Sequence, residues 1–143
     1  MERRALLLTV LFICSLTAAC SGKVTGTVAG VEVAVDSVKR VKEFKQPGSG
    51  TGYGQRRPFE AEAGKEFLVI ELKAPKKIEF GDPGIKATVK DDKGQTYNAI
   101  YSQVFGFNEG KVEAKILFEV PEQASVSTLL LDQTPFDLSR VKD

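Results

Sequence analysis

The sequence predicts an all-β domain, an antiparallel sandwich of about seven short strands, preceded by an export segment. Three observations carry this. Apolar residues alternate with polar ones at period two through most of the chain. Turn signals rich in Gly, Pro and Asp recur every 8–12 residues. No stretch sustains a 3.6-residue period, so helix is expected to be minor. At 143 residues and 42% hydrophobic content, the chain fits one ordinary domain with its own core.

The N-terminus reads as a targeting segment covering residues 1–19. Arg3 and Arg4 give a positive start. An apolar run follows through residues 5–16, too short for the roughly 20 residues that span a bilayer. Thr17, Ala18 and Ala19 supply the small residues of a cleavage site before Cys20. Residues 20–27 are small and polar, with Gly22 and Gly26, and are expected as a tether. The folded domain is then expected over 28–143.

Strand follows strand from Val28. Val31, Val33 and Val35 alternate with Glu32, Ala34 and Asp36, and a phase shift near Ser37 predicts a bulge. The basic run Lys39, Arg40, Lys42 and Lys45 suits a solvated sheet edge. Residues 46–58 form a Gly-rich loop with Gly48, Gly50, Gly52 and Gly54. No Lys-Ser/Thr ending or following helix makes this a phosphate cradle. Its candidate contact residues are Tyr53, an amphipathic anchor, and Arg56 and Arg57, donors to an anion.

Phe67, Leu68, Val69 and Ile70 are consecutive and apolar, which predicts a central strand covered on both faces. Ile78 and Phe80 flank Glu79 as a short strand, and residues 81–84 form a turn. Ile85, Ala87 and Val89 lead into a hairpin turn at 91–94, from which Tyr97 and Ala99 return. Asp91 and Asp92, even with Asp82, lack the spaced donors of a calcium loop, and turn chemistry explains them better. Residues 101–110 are expected as a loop. Residues 111–120 alternate cleanly except at Leu117, which interrupts the polar side once. Residues 126–131 are a last β-rich run, with Phe136 and Leu138 closing the end of the sandwich.

Composition excludes several chemistries. The chain has no His and no Trp, and its one Met is Met1. A Ser-His-Asp or Cys-His centre and the commonest zinc and copper ligand are therefore absent. With Cys14 inside the export segment, Cys20 stands alone, so no intramolecular disulfide or thiolate cluster can form. Residues 20–143 carry 18 basic and 18 acidic side chains, and a net-neutral domain has no global attraction to nucleic acid. No cofactor and no metal are expected.

The segment Leu16-Thr17-Ala18-Ala19-Cys20 resembles the lipobox of bacterial lipoproteins. It departs from the commonest form in carrying Thr17 where Leu usually stands. The resemblance implies cleavage before Cys20 and a diacylglyceryl group on its thiol, two chains of palmitate type being enough for stable anchoring. In a host with two membranes, Ser21 is the residue that the lipoprotein sorting pattern would assign to the outer one. Three further segments, Gly64–Leu72, Val89–Tyr97 and Lys115–Pro121, are similar in order and spacing to a bacterial domain family of unknown function with a telokin-like, immunoglobulin fold. Its motifs read Gly-x-x-Phe, Asp-x-x-Gly-x-x-Tyr and Leu-x-Phe-x-Val-Pro. Ala74-Pro75 departs from that family's usual Asn. The family has no established catalytic residues, so the resemblance implies a fold and no site.

The expected function is a lipid-anchored, non-enzymatic binding or interaction module on the extracytoplasmic face of a bacterial membrane. Its partners are the membrane through Cys20 and an envelope protein or cell-wall polymer, met by the loops at 46–58 and 101–110 at one end of the sandwich. The alternatives are an envelope hydrolase working through Glu60, Glu62 or Asp82, and a structural accessory of an envelope complex.

Overall fold

The computed structural model describes residues 23–46, 57–81, 83–105 and 111–141. Ten strands appear in order: β1 (Val24–Val28), β2 (Val31–Val41), β3 (Glu43–Phe44), β4 (Phe59–Glu60), β5 (Lys65–Ala74), β6 (Ala87–Asp91), β7 (Thr96–Phe105), β8 (Val112–Pro121), β9 (Val126–Leu131) and β10 (Thr134–Asp137). A short 3-10 turn, Leu138–Arg140, follows.

The hydrogen-bonded order is β1-β2-β5-β8-β7-β6-β9-β10, with every ladder antiparallel. One layer is β2-β5-β8-β7 and the other is β6-β9-β10. Taken in chain order, this is the four-plus-three arrangement of a constant-type immunoglobulin sandwich. Seven strands make that frame, as expected, and β1 and the β3–β4 ribbon are additions to it.

Strand β7 joins the layers by serving both. Asn98, Tyr97 and Thr96 pair with Thr88, Val89 and Lys90 of β6. Ala99 pairs with Phe118 of β8, and after a register shift that passes over Ile100 the β8 pairing resumes at Tyr101. The bulge turns the strand from one layer to the other. At the opposite edge, β1 meets β10 without a ladder. Thr134 Oγ1 donates to the Thr27 carbonyl at 3.2 Å, and the Phe136 ring lies over Gly26.

The main core fills the space between layers. Val33 and Val35 (β2), Leu68, Ile70 and Leu72 (β5), Val89 (β6), Ile116, Phe118 and Val120 (β8), Leu129 and Leu131 (β9) and Phe136 are all buried there. A second core lies on the outer face of the first layer. Phe67 and Val69 of β5 and Leu117 of β8 are buried beneath Phe44 of the ribbon, with Phe59, Ala61, Val41 and Tyr101 around them. Phe59 meets Phe67 edge-on at 6.5 Å and Tyr101 at 5.6 Å, favourable aromatic geometries. The break in alternation at Leu117 is therefore the floor of a second core.

Several expectations are corrected. The tether assigned to 20–27 ends sooner, because residues 24–27 are strand: Val24 pairs with Val35 and Gly26 with Val33. Polar Thr25 and Thr27 disguise β1, whose outward face they occupy. Ile78 and Phe80 form no strand; Phe80 makes one isolated bridge to Ile85. Residues 101–105, expected as loop, continue β7. Phe136 belongs to a strand of its own, β10, joined to β9 through a two-residue turn that holds Asp132 at φ 54°. The predicted bulge falls between Val35 and Ser37, where the β2–β5 register shifts.

Two measurements follow from this packing. A Cβ on Gly26 would stand 3.0 Å from two carbons of the Phe136 ring. Although alanine is normally the better strand residue, Gly26→Ala is expected to destabilise by about 1–3 kcal/mol in urea unfolding, and a Phe136→Leu background is expected to relieve it. In the same assay Leu117→Ala is expected to cost about 2–5 kcal/mol, the range for emptying a buried leucine site, whereas a solvent-facing position would lose almost nothing.

Candidate groove at the sheet switch

The fork where β7 leaves β6 for β8 opens a groove of about 550 Å³. One wall is Asn98, Ala99, Ile100, Tyr101 and Ser102 of β7, and the other is formed by Phe80, Gly81 and residues 85–88. That volume lies in the range of ligand sites. Register explains the opening: β6 stops pairing at Asn98, and its first residue, Ala87, is turned instead towards Leu131 of β9. The backbone of Lys86 is drawn the same way, donating to Asp132 Oδ1 at 2.9 Å while its carbonyl accepts from Asp132 N–H at 2.7 Å. Ile100, at the bulge, is half exposed at 50%, and is the exposed large hydrophobic among the described residues.

The sequence-predicted site residues are distributed elsewhere. Cys20, Tyr53, Arg56 and Asp82 lie outside the described residues. Arg57 is exposed, just before β4. The two loops expected to act together are not anchored at one end. The ribbon bearing 47–56 rests on Phe67 and Leu117, whereas 106–110 joins Phe105 to Val112, level with Ala74. Phe67 and Ala74 are about 24 Å apart along β5 at ~3.4 Å per residue.

The basic run is paired residue by residue. Lys39 faces Glu71 at 3.9 Å, and Arg40 binds Glu66 and the Ala124 carbonyl. Lys42 binds Glu122 and donates to the Lys65 carbonyl at 2.9 Å, while Lys45 lies 4.0 Å from Glu43. These contacts tie β2 to β5 and to the β8–β9 turn. The run is thus a charged, compensated edge, as read from the sequence, and no concentrated anion site.

Of the carboxylates considered for hydrolysis, Glu60 and Glu62 are poorly disposed. Glu60 is exposed, across from Glu43 in the ribbon. Glu62 bonds Lys65 at 2.7 Å, and that hydrogen bond and charge hold its carboxyl below the ordinary value of 4.5. A general acid requires the opposite displacement. Among the described residues, no three His, Cys, Asp or Glu side chains gather as a metal-holding group.

Asp91 is buried and has structural work. Its Oδ1 accepts the backbone N–H of Lys93 at 3.0 Å and of Gln95 at 2.8 Å, and its Oδ2 accepts the Tyr97 hydroxyl at 3.0 Å. Burial pushes this carboxyl up, but the three donors and the Lys93 charge outweigh it, so the group sits below its ordinary 3.8. Gly94, at φ +81°, supplies the left-handed position the turn needs. The Asp-x-x-Gly-x-x-Tyr pattern is therefore a turn lock. The Gly64 and Pro121 motifs also meet: Lys65 pairs with Pro121, and Glu122 N–H donates to the Gly64 carbonyl at 3.1 Å.

No family model matches the chain, and no curated protein matches it. A solved structure does: an uncharacterized β-sandwich protein from Clostridium difficile 630, with a TM-score of 0.50 and 13% sequence identity, covering 78% of this chain and 85% of that one. At such identity the likeness concerns the fold, and it agrees with the strand order: this chain is an antiparallel β-sandwich.

The carboxyl displacements set an acid limit. Asp91, Glu62 and Glu71 are all held below their ordinary values, Glu71 because its contacts with Lys115 and Lys39 outweigh the opposing effect of burial. Groups depressed in the folded state contribute stability that is full above their ordinary values of 3.8 and 4.5 and is lost as pH falls through the lower folded values. Urea midpoints are expected to fall steadily below about pH 4. Asp91→Asn, which keeps an acceptor but cannot titrate, is expected to flatten that fall; an unchanged slope would remove Asp91 from the account.

Proposed function

We propose that this chain is a lipid-anchored, non-enzymatic binding module held on the extracytoplasmic face of a bacterial membrane through Cys20. The carrying observation is where the fold begins. Strand β1 starts at Val24, four residues beyond Cys20, and is tied into the domain by pairing with β2, by buried Val28 and by Phe136 over Gly26. Four residues reach at most about 14 Å, so a lipid on Cys20 would hold the sandwich against the headgroups.

The position of β1 orients the module. Val24 lies level with Val35 in the middle of β2, and Val28 lies beside the Ala29–Gly30 turn. In strand order β7 stands across the sheet from β1, so an anchor leading into β1 is on the opposite side of the sandwich from the fork. That opposite side holds the groove walled by Phe80, Gly81 and residues 85–88. A binding role is supported by this groove, which combines a half-exposed Ile100 with polar Thr88, Asn98 and Ser102. The lipobox resemblance and the ion-paired state of Glu62 are consistent with anchoring and with a role other than hydrolysis.

Intact-mass measurement of the membrane-extracted protein tests the anchoring. The expected mass is that of residues 20–143 plus a diacylglyceryl group, and Cys20→Ala is expected to lose the lipid and keep residues 1–19. A wild-type protein that retains residues 1–19, or lacks the lipid, contradicts the proposal.

A further inference from the structure

Strand edges invite pairing with other chains, and folded proteins guard them with charge, proline or cover. Most edges here are guarded. The half of β2 that runs beyond β1 carries Lys39 and Arg40. Strand β10 contains Pro135 and faces β1 across the Thr134–Thr27 hydrogen bond. Strand β7 is the exception. Beyond Asn98 its β6-facing edge has no ladder partner among the described residues. Its ten residues, Thr96-Tyr97-Asn98-Ala99-Ile100-Tyr101-Ser102-Gln103-Val104-Phe105, include no charge, no proline and no glycine. In a chain that is 27% charged, this is the composition of a strand that pairs. The edge borders the groove.

We infer that the β7 edge is a strand-addition site: an extended, largely uncharged segment of a partner protein pairs with residues 99–102, covers Ile100 with an apolar side chain, and places a carboxylate by Lys86. The inference rests on the binding role proposed above and names its partner class. Main-chain hydrogen bonds would supply affinity, and alternate side chains would supply selectivity. Lys86 gives the charge preference, being the charged side chain of the groove lining. The opposite wall, at Phe80, Gly81 and Ile85, lies across the groove from β7, and a second sandwich would bring its own layers against that wall.

The test uses the full chain in detergent micelles, so it does not depend on whether Cys20 is lipidated. Two capped hexapeptides of alternating valine and threonine, one with aspartate at its N-terminus and one at its C-terminus, are titrated while amide shifts of residues 98–104 are followed by NMR. Saturable shifts confined to β7 and to residues 80–88 are expected with at least one peptide. Methylating alternate peptide nitrogens is expected to weaken binding about tenfold or more by removing strand hydrogen bonds. Ile100→Lys, at an exposed position, should abolish binding with thermal unfolding unchanged. Lys86→Glu should weaken the aspartate peptide about two- to fivefold and favour a lysine counterpart. Failure of both peptides at millimolar concentration, equal binding of the methylated forms, or concentration-dependent dimerisation that protects β7 without peptide would each overturn the inference. Lipid attachment, read separately by mass, would be untouched by any of these.

Discussion

The structure depends on the need to bury β5 on both faces. Phe67, Leu68, Val69 and Ile70 are consecutive, and in a strand successive side chains point to opposite sides. Leu68 and Ile70 enter the core between the layers, so Phe67 and Val69 must be covered on the outside. Fully burying each such side chain is worth roughly 1.5–3 kcal/mol relative to exposure. The β3–β4 ribbon meets this need with Phe44 and Phe59, and Leu117 and Tyr101 complete the patch. Farther along the same face no cover is needed, because the outward residues become Glu71, Lys73 and Lys115, joined as ion pairs with Lys39 and Asp36. One face of one sheet is thus apolar at one end and charged at the other, and the connection between β2 and β5 is shaped accordingly.

The same economy of cover explains the groove. The two layers share β7, and a strand that serves both must bend, which the bulge at Ile100 achieves. Bending separates β7 from β6 and leaves an edge with no ladder partner among the described residues. At the other side the layers are drawn together by Phe136 over Gly26, so the sandwich is nearly closed there and open at the fork. An anchor leading into β1 and an opening walled by Phe80, Gly81 and residues 85–88 would put attachment and recognition on opposite sides of the sandwich.

Much of the frame was legible in the sequence. Period two located β2, β6 and β8, and the apolar run at 67–70 located β5 as a strand covered on both faces. The three family-like motifs correspond to physical devices, most clearly Asp91 collecting two backbone N–H groups and the Tyr97 hydroxyl. What escaped has physical reasons. Strand β1 alternates with threonine and glycine, which resemble a linker, and its Gly26 is explained by a ring 110 residues later in the chain. The continuation of β7 through Tyr101 and Ser102 was hidden by polar residues whose pairing is tertiary. The groove could not be read at all, since it is an unpaired edge created by a register shift. Its one sequence signal was the absence of charge from 96 to 105, which is visible only once the segment is known to be a strand.

The most direct measurement of this account is amide hydrogen exchange along β7 in the full chain without any added peptide. An edge strand bonded on one side should show alternation, slow amides directed at β8 interleaved with fast ones directed at the groove, from Ala99 to Val104, while in Thr96–Asn98 the slow amides are those directed at β6. Uniform protection through Ser102 would mean that the edge is already covered and would contradict the account.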